Sequence, residues 1–186
     1  MRTAPRLAPA ARREPGAPAD AALLRRIARG DGPAFTALVE RYERRFYTVA
    51  RRMLGHDGDA EDAVQLTFLR VLLKAKTYRD DWQGSTWLYR VLANVCIDAC
   101  RKRRHESGAP AVPEPARDER GVERLDLEAG LRRLPTEARV ILLLCYAEDL
   151  SYGEVARVRG VSINTVKTQL RRAKQLMRRY LKGDDT

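Results

Sequence analysis

Apolar residues recur three and four apart along nearly the whole stretch from Asp20 to His105, and again from about Asp126 to Lys182. No run alternates apolar with polar positions over a strand length, so the pattern predicts an all-α protein. In the first stretch the punctuation falls at Gly30 to Pro33, Gly55 to Asp59 and Arg79 to Gly84, which separates successive helices. Residues 106–125 carry Gly108, Pro110, Pro113, Pro115 and Gly121 with several charges and little apolar bulk, a linker composition. Residues 1–20 hold Pro5, Pro9, Pro15, Pro18 and Gly16, too little apolar burial to offset the entropy of ordering, so a disordered tail is expected there. The expectation is two small helical domains, 21–105 and 126–183, joined by a flexible linker; 186 residues suffice for two modest cores.

One helix of the first domain should start at Asp57 or Asp59, with Ala60, Ala63, Val64, Phe68, Val71 and Leu72 as its core stripe. A second apolar row, Leu66, Leu69 and Leu73, lies away from that stripe beside Asp62, Gln65 and Arg70. A helix apolar on two sides needs two partners: either it is central and buried all round, or one side docks on another protein. The next helix, from about Ser85 to Arg104, places Leu88, Val91, Leu92, Val95, Cys96 and Ala99 on one face and Arg90, Asn94 and Arg101 on another. Trp87 falls at the margin, and Arg101 to Arg104 is an unbroken basic run. Arginines around an amide and an aromatic ring suit phosphates and unstacked bases. Singly, Trp87 also fits the edge of a core and Asn94 an ordinary surface amide.

In the second domain Ser151 and Glu154 have the spacing of a capping box, Gly160 can end that helix, and Ser162 can cap the next. A short helix, a turn with glycine and a longer helix make a helix-turn-helix. Ile163, Val166, Leu170, Ala173 and Met177 form one stripe of the longer helix, while Asn164, Lys167, Thr168, Arg171, Gln175 and Arg178 project elsewhere. Between Glu154 and Asp184 there are nine basic residues and no acidic one, so attraction to phosphate is unopposed. Leu127, Leu131, Leu134, Val140, Leu143 and Leu144 supply preceding helices, the second of which Pro135 opens in its first turn.

Charge sharpens this picture. The 36 Lys and Arg against 25 Asp and Glu give +11, divided as +2 over 1–20, +7 over 21–105, −2 over 106–125 and +4 over 126–186. Both domains are therefore suited to a polyanion, nucleic acid or anionic membrane. No stretch has the apolar length of a membrane span, and the first twenty residues lack the apolar centre of a signal peptide, so a cytoplasmic protein is expected. Cys96, Cys100 and Cys145 form neither an even disulfide set nor, with His56 and His105, a zinc pattern; reduced thiols are expected, with Cys100 pointing away from the core side. Asp57, Asp59, Glu61 and Asp62 fail as a calcium loop, because Asp62 stands where glycine is required and Phe68 where a bidentate glutamate is required. No cofactor or metal is expected, and no nucleophile with its base, nor a convincing carboxylate set, points to an enzyme.

Three segments in order, DAEDAVQLTFLRVLLK at 59–74, TWLYRVLANVCIDACRKRR at 86–104 and LRRLPTEARVILLLCYAEDLSYGEVARVRGVSINTVKTQLRRAKQLM at 131–177, resemble the extracytoplasmic-function (ECF) group of bacterial RNA polymerase sigma factors. The resemblance covers nearly everything from Asp20 to Leu181. It implies that the first domain docks on core RNA polymerase and melts the minus-ten element, that the second reads the minus-thirty-five element, and that an anti-sigma factor clamps both. It assigns Asp62, Gln65 and Arg70 to the polymerase surface, to which the apolar row adds Leu66 and Leu69. Asn94 falls at the position holding a flipped base, near Trp82, Trp87, Arg90 and Arg101. Lys167, Thr168, Arg171 and Arg172, flanked by Asn164 and Gln175, fall at the double-stranded upstream element. Two departures stand out: Leu66 follows Gln65 where the family usually has Glu, and RDDWQGS at 79–85 puts Gly84 where an aromatic is usual, leaving Trp82 as the candidate base platform. A helix-turn-helix regulator that is not a polymerase subunit would share the last segment but not 59–104; a DNA-processing enzyme is the remaining alternative.

Overall fold

The structure, a computed structural model, describes residues 19–107 and 122–182. The expected tail and most of the expected linker lie outside the described residues. The first block holds α1 (Asp20–Ile27), α2 (Gly32–Leu54), α3 (Asp57–Lys74), a 3-10 turn (Ala75–Thr77) and α4 (Gly84–Ser107). The second holds α5 (Val122–Arg133), α6 (Thr136–Tyr146), α7 (Tyr152–Arg159) and α8 (Ile163–Lys182). There is no strand among the described residues.

Helix α2 is the spine of the first block. Asp31 caps its start, accepting a hydrogen bond from the Ala34 N–H at 2.9 Å, and Gly55 ends it in the left-handed conformation at φ 85°. Leu38, Tyr42, Phe46, Val49 and Met53 recur along one face of α2 and are buried against α3 and α4. Phe46 sits at the centre, stacked on Phe68 at 5.4 Å and edge-on to Tyr89 at 5.5 Å. Buried Asp20 ties α1 to this spine, accepting from Arg41 at 2.7 Å and from the Tyr42 hydroxyl at 2.8 Å. Where α4 begins, a Cβ on Gly84 would lie 2.7 Å from the Ala21 amide nitrogen and 2.7 Å from Asp20 Cβ. Backbone contact with α1 therefore accounts for the glycine at this position.

The core stripe of α3 departs from expectation at one position. Leu72 is exposed, and Thr67 is buried in the stripe, its hydroxyl donating to the Ala63 carbonyl at 2.7 Å. Positions 60, 63, 64, 67, 68 and 71 follow helical periodicity, while Leu72 lies roughly 100° past Val71 and joins the outer leucines. In the second block α5 starts at Val122 rather than about Asp126, and Pro135 is the cap preceding α6 rather than part of its first turn. The capping box of Ser151 and Glu154 forms, and Gly160 ends α7 at φ 66°. Val166, Leu170, Ala173 and Met177 of α8 are buried, whereas Ile163, the first residue of the helix, stays exposed and is not part of the stripe.

The two blocks pack directly on each other, α2 against α5 and α6, and α4 against α6 and α7. Their seam is partly polar. The last carbonyls of a helix have no partner within it, and at the end of α2 arginines supply one: Arg139 Nη1 of α6 donates to the Met53 carbonyl at 2.6 Å, and Arg103 Nη1 of α4 to the Leu54 carbonyl at 3.0 Å. Cations at a helix C-terminus also complement its dipole.

Candidate nucleic-acid and protein interfaces

Three surfaces emerge from this frame. The first is the outer face of α8. Ser162 caps the helix, its Oγ accepting from the Thr165 N–H at 3.1 Å, and the buried stripe fixes which side faces out. Asn164, Lys167, Thr168, Arg171, Arg172 and Gln175 are all exposed on that side. Guanidinium and amide groups displayed on a helix of helix-turn-helix geometry can donate to base edges in a major groove, and lysine can neutralise phosphates.

The second surface is the ridge on α3, where Leu66, Leu69, Leu72 and Leu73 are 40, 51, 45 and 71% exposed. A helix buried all round is thereby ruled out, and a contiguous apolar ridge lies open to a partner. Asp62 and Gln65 are exposed alongside it. Arg70 differs from its expected neighbours, being half-buried and turned towards α4, where Nη1 lies 3.4 Å from Asp98 Oδ2.

The third surface is a shallow pocket between α3 and α4, lined by Arg70, Lys74, Thr77, Trp87, Arg90 and Asn94 among others. Tyr78 meets Trp87 edge-on at 5.8 Å and donates its hydroxyl hydrogen to the Trp82 carbonyl at 2.7 Å. The Arg90 guanidinium lies 5.0 Å from the centre of the Trp82 ring, a cation–π contact that brings the 79–85 loop to the pocket mouth. Arg25 holds the same loop through Asp80 at 2.6 Å. Cations, an amide and aromatic rings are thus assembled around one concavity, the composition that a flipped base and its phosphates require. Arg101 is exposed two helical turns beyond Asn94, about 10 Å further along α4, and is not part of the pocket.

Asn94 already has a partner, since its Oδ1 accepts from Arg159 Nη1 of α7 at 3.2 Å. Arg159 is itself held by Glu137 at 2.9 to 3.2 Å. Neither Arg159 nor the other charged seam residues, Arg139 and Glu148, were singled out by sequence pattern. Arg139 stands alone among the apolar side chains of ARVILLL, and a lone charge inside an apolar helical run is the signal that could have found it.

The cysteines are not poised for redox chemistry. Burial pushes the Cys96 and Cys100 thiols up, and that of Cys145 up to about 11, so the reactive thiolate is scarce. Cys100, expected to point away from the core, packs against it with Sγ 3.9 Å from the Met53 carbonyl at the end of α2. No group of three or more metal-ligating side chains is gathered among the described residues.

Family profiles match the two blocks in the same order: Sigma-70 region 2 over residues 38–106, and Sigma-70 region 4 over residues 124–177. The ECF RNA polymerase sigma factor SigE of Mycolicibacterium smegmatis is 36% identical over 162 residues, covering 80% of this chain, which spans 62% of that relative's length. SigM of Mycobacterium tuberculosis is 32% identical over 87% of this chain and 84% of its own length, and SigW of Bacillus subtilis 28% identical over 86% and 95%. CnrH, solved in complex with the cytosolic domain of CnrY, superposes with a TM-score of 0.71 at 26% identity, over 89% of this chain and 99% of that one. The sigma factor RpoE of Bartonella quintana, solved with the anti-sigma factor NepR, shares the fold with a TM-score of 0.66 at 24% identity, over 80% of this chain and 96% of that one. Two helical blocks, one bearing a leucine ridge and an aromatic-basic pocket and the other a helix-turn-helix, define a protein of the sigma-70 class. Within that class, the chain belongs to the ECF RNA polymerase sigma factors.

Proposed function

We propose that the first block, residues 21–105, docks on core RNA polymerase through the α3 ridge and holds the melted minus-ten strand in the α3–α4 pocket, while the second, 126–183, reads the duplex minus-thirty-five element through α8. The open leucine ridge carries this reading, because a helix exposing four leucines along one side is explained by a large protein partner. Leu66 and Leu69 supply apolar contact area, with Asp62 and Gln65 at the rim. Arg70, turned towards Asp98, bridges the ridge and the pocket. Trp82, Trp87, Arg90 and Asn94 hold the unpaired strand, and Arg101 meets its phosphates further along α4. Asn164, Lys167, Thr168, Arg171, Arg172 and Gln175 contact the upstream duplex.

The protein acts by binding and positioning, not as an enzyme, and works in the cytoplasm where polymerase and chromosome are. The regulator is a small anti-sigma factor that covers the ridge, by analogy with CnrH, which was solved with the cytosolic domain of CnrY. The test is Leu66→Glu combined with Leu69→Glu, scored for affinity to purified core polymerase, with helix content followed by circular dichroism. Polymerase affinity should fall sharply while helix content is retained; an unchanged affinity overturns the docking assignment.

A further inference from the structure

We propose that Tyr78 and Arg25 are positioning residues that hold the Trp82 ring in place for a base of the unpaired strand. The proposal deepens the assignment of Trp82 to that strand and rests on it. Trp82 is the only apolar side chain in the loop 79–83, RDDWQ, so burial gives this loop little to fold around. Its place is set instead by a few directed contacts. Tyr78, half-buried just before the loop, meets Trp87 of α4 edge-on at 5.8 Å and donates its hydroxyl hydrogen to the Trp82 carbonyl at 2.7 Å. One side chain thereby ties both tryptophans together. A second tether comes from α1, where Arg25 Nη1 lies 2.6 Å from Asp80 Oδ1. Helix α1 is a firm base for it: Asp20 is buried and bonded to Arg41 and Tyr42 of α2, and the backbone of α1 lies against Gly84.

A stacked base returns its full binding energy only where the ring is already in place, because ordering a loose side chain on binding lowers the apparent affinity. Trp82 is half-buried, and the Arg90 guanidinium lies 5.0 Å from the centre of its ring. A base laid on that ring meets an aromatic surface with a cation beside it, the pairing by which single strands are held without regard to sequence. Asp80 is otherwise a poor neighbour for a polyanion, since a carboxylate repels phosphates. Its pair with Arg25 accounts for it. The two side chains are 50 and 63% exposed, so the pair adds little to the stability of the fold and acts through the place it gives the loop.

The test compares full-length variants, each assembled with core polymerase, for affinity to short oligo-dA and oligo-dT strands. Tyr78→Phe keeps the ring against Trp87 and removes only the hydroxyl; it should bind both strands about fivefold more weakly, the worth of one hydrogen bond. Asp80→Asn should bind about twofold more weakly. Removal of a negative charge alone would tighten binding to a polyanion, so weaker binding by Asp80→Asn has the sign that charge cannot produce. Trp82→Ala should lose about tenfold, within the range of one stacked base. Added to Trp82→Ala, neither Tyr78→Phe nor Asp80→Asn should cost more, because both act through the ring. In the chain without DNA or polymerase, acrylamide quenching of tryptophan emission should rise in Tyr78→Phe and in Asp80→Asn. With Trp82→Ala only Trp87 emits, and quenching should no longer respond to either change. Unchanged strand affinity in Tyr78→Phe, or Asp80→Asn binding as tightly as wild type or more so, overturns the proposal. So does a loss that persists in the Trp82→Ala background, which would make both residues general supports of the fold. If Trp82→Ala itself binds like wild type, the assignment of Trp82 to the strand falls and the proposal falls with it.

Discussion

The α3 ridge and the seam between the two blocks invert the usual arrangement in opposite ways: one exposes leucines, the other buries arginine and glutamate. Apolar surface left in water is a standing cost that any large apolar partner relieves, with little demand on its detailed geometry. Buried charges behave otherwise, since they are tolerated only where each finds a particular partner. The ridge is thus suited to strong association with another protein. The seam is suited to a specific, reversible association of the chain with itself.

The contrast breaks most visibly at Arg139. Its guanidinium donates to the carbonyls of Met53, Arg132 and Leu134, and burial pulls its pKa below the ordinary guanidinium value. Arg139→Ala leaves those buried acceptors unsatisfied and should lower stability by about 3 kcal/mol, read from urea or thermal unfolding. Leu69→Lys on the ridge should leave stability within about 0.5 kcal/mol of wild type while weakening polymerase binding. If the two substitutions destabilise equally, the ridge is a structural surface and the contrast collapses.

Gly84→Ala tests a backbone constraint inside one block, with an effect of about 1 to 3 kcal/mol because the new methyl would overlap α1. A neutral result in the same unfolding assay would show that α1 can shift away.

Most of the helices and the outward face of α8 were legible in the sequence, because caps, glycine stops and 3.6-residue periodicity act locally. The capping box at Ser151 and the α8 stripe from Val166 to Met177 are of this kind. So is the exposed leucine row, which no single buried face could absorb. The errors sit where a tertiary neighbour decides. Leu72 yields its place to Thr67, which satisfies its own hydroxyl within the helix. Cys100 is covered where it meets the Met53 carbonyl at the end of α2. Periodicity says that a side of a helix is apolar but not which distant segment will cover it. The seam was illegible for the same reason: Glu148 and Tyr89 are 59 residues apart in the chain.

Within α8, base reading and phosphate gripping should separate. If Arg171 donates to a guanine edge, Arg171→Ala should cost about 1 to 3 kcal/mol at one base pair and relax the preference there. Arg178→Ala, nearer the helix end, should weaken all duplexes alike and reduce the salt slope by about one. Binding to a panel of duplexes at two salt concentrations reads both, and equal losses everywhere for both variants would move promoter choice to the Asn94 pocket.

The smallest effect concerns the pH at which the seam holds. Burial raises the Glu148 pKa above the ordinary carboxyl value, an effect that the Tyr89 hydrogen bond and the charge of Arg45 oppose, with Arg52 adding to them. Tyr42 faces the same group through its ring against Arg45. With the blocks apart the carboxyl meets water and titrates at its ordinary value, so the packed blocks bind its proton more tightly. Packing is then favoured in full below the ordinary carboxyl value, and that extra stability is lost as pH rises through the raised one. The hydrodynamic radius of the free chain should therefore grow modestly from mildly acidic to neutral pH, and Glu148→Gln should flatten that profile. A wild-type radius that shrinks over the same range would mean that Arg45 and Tyr89 more than offset burial, and that Glu148 holds the seam as a carboxylate.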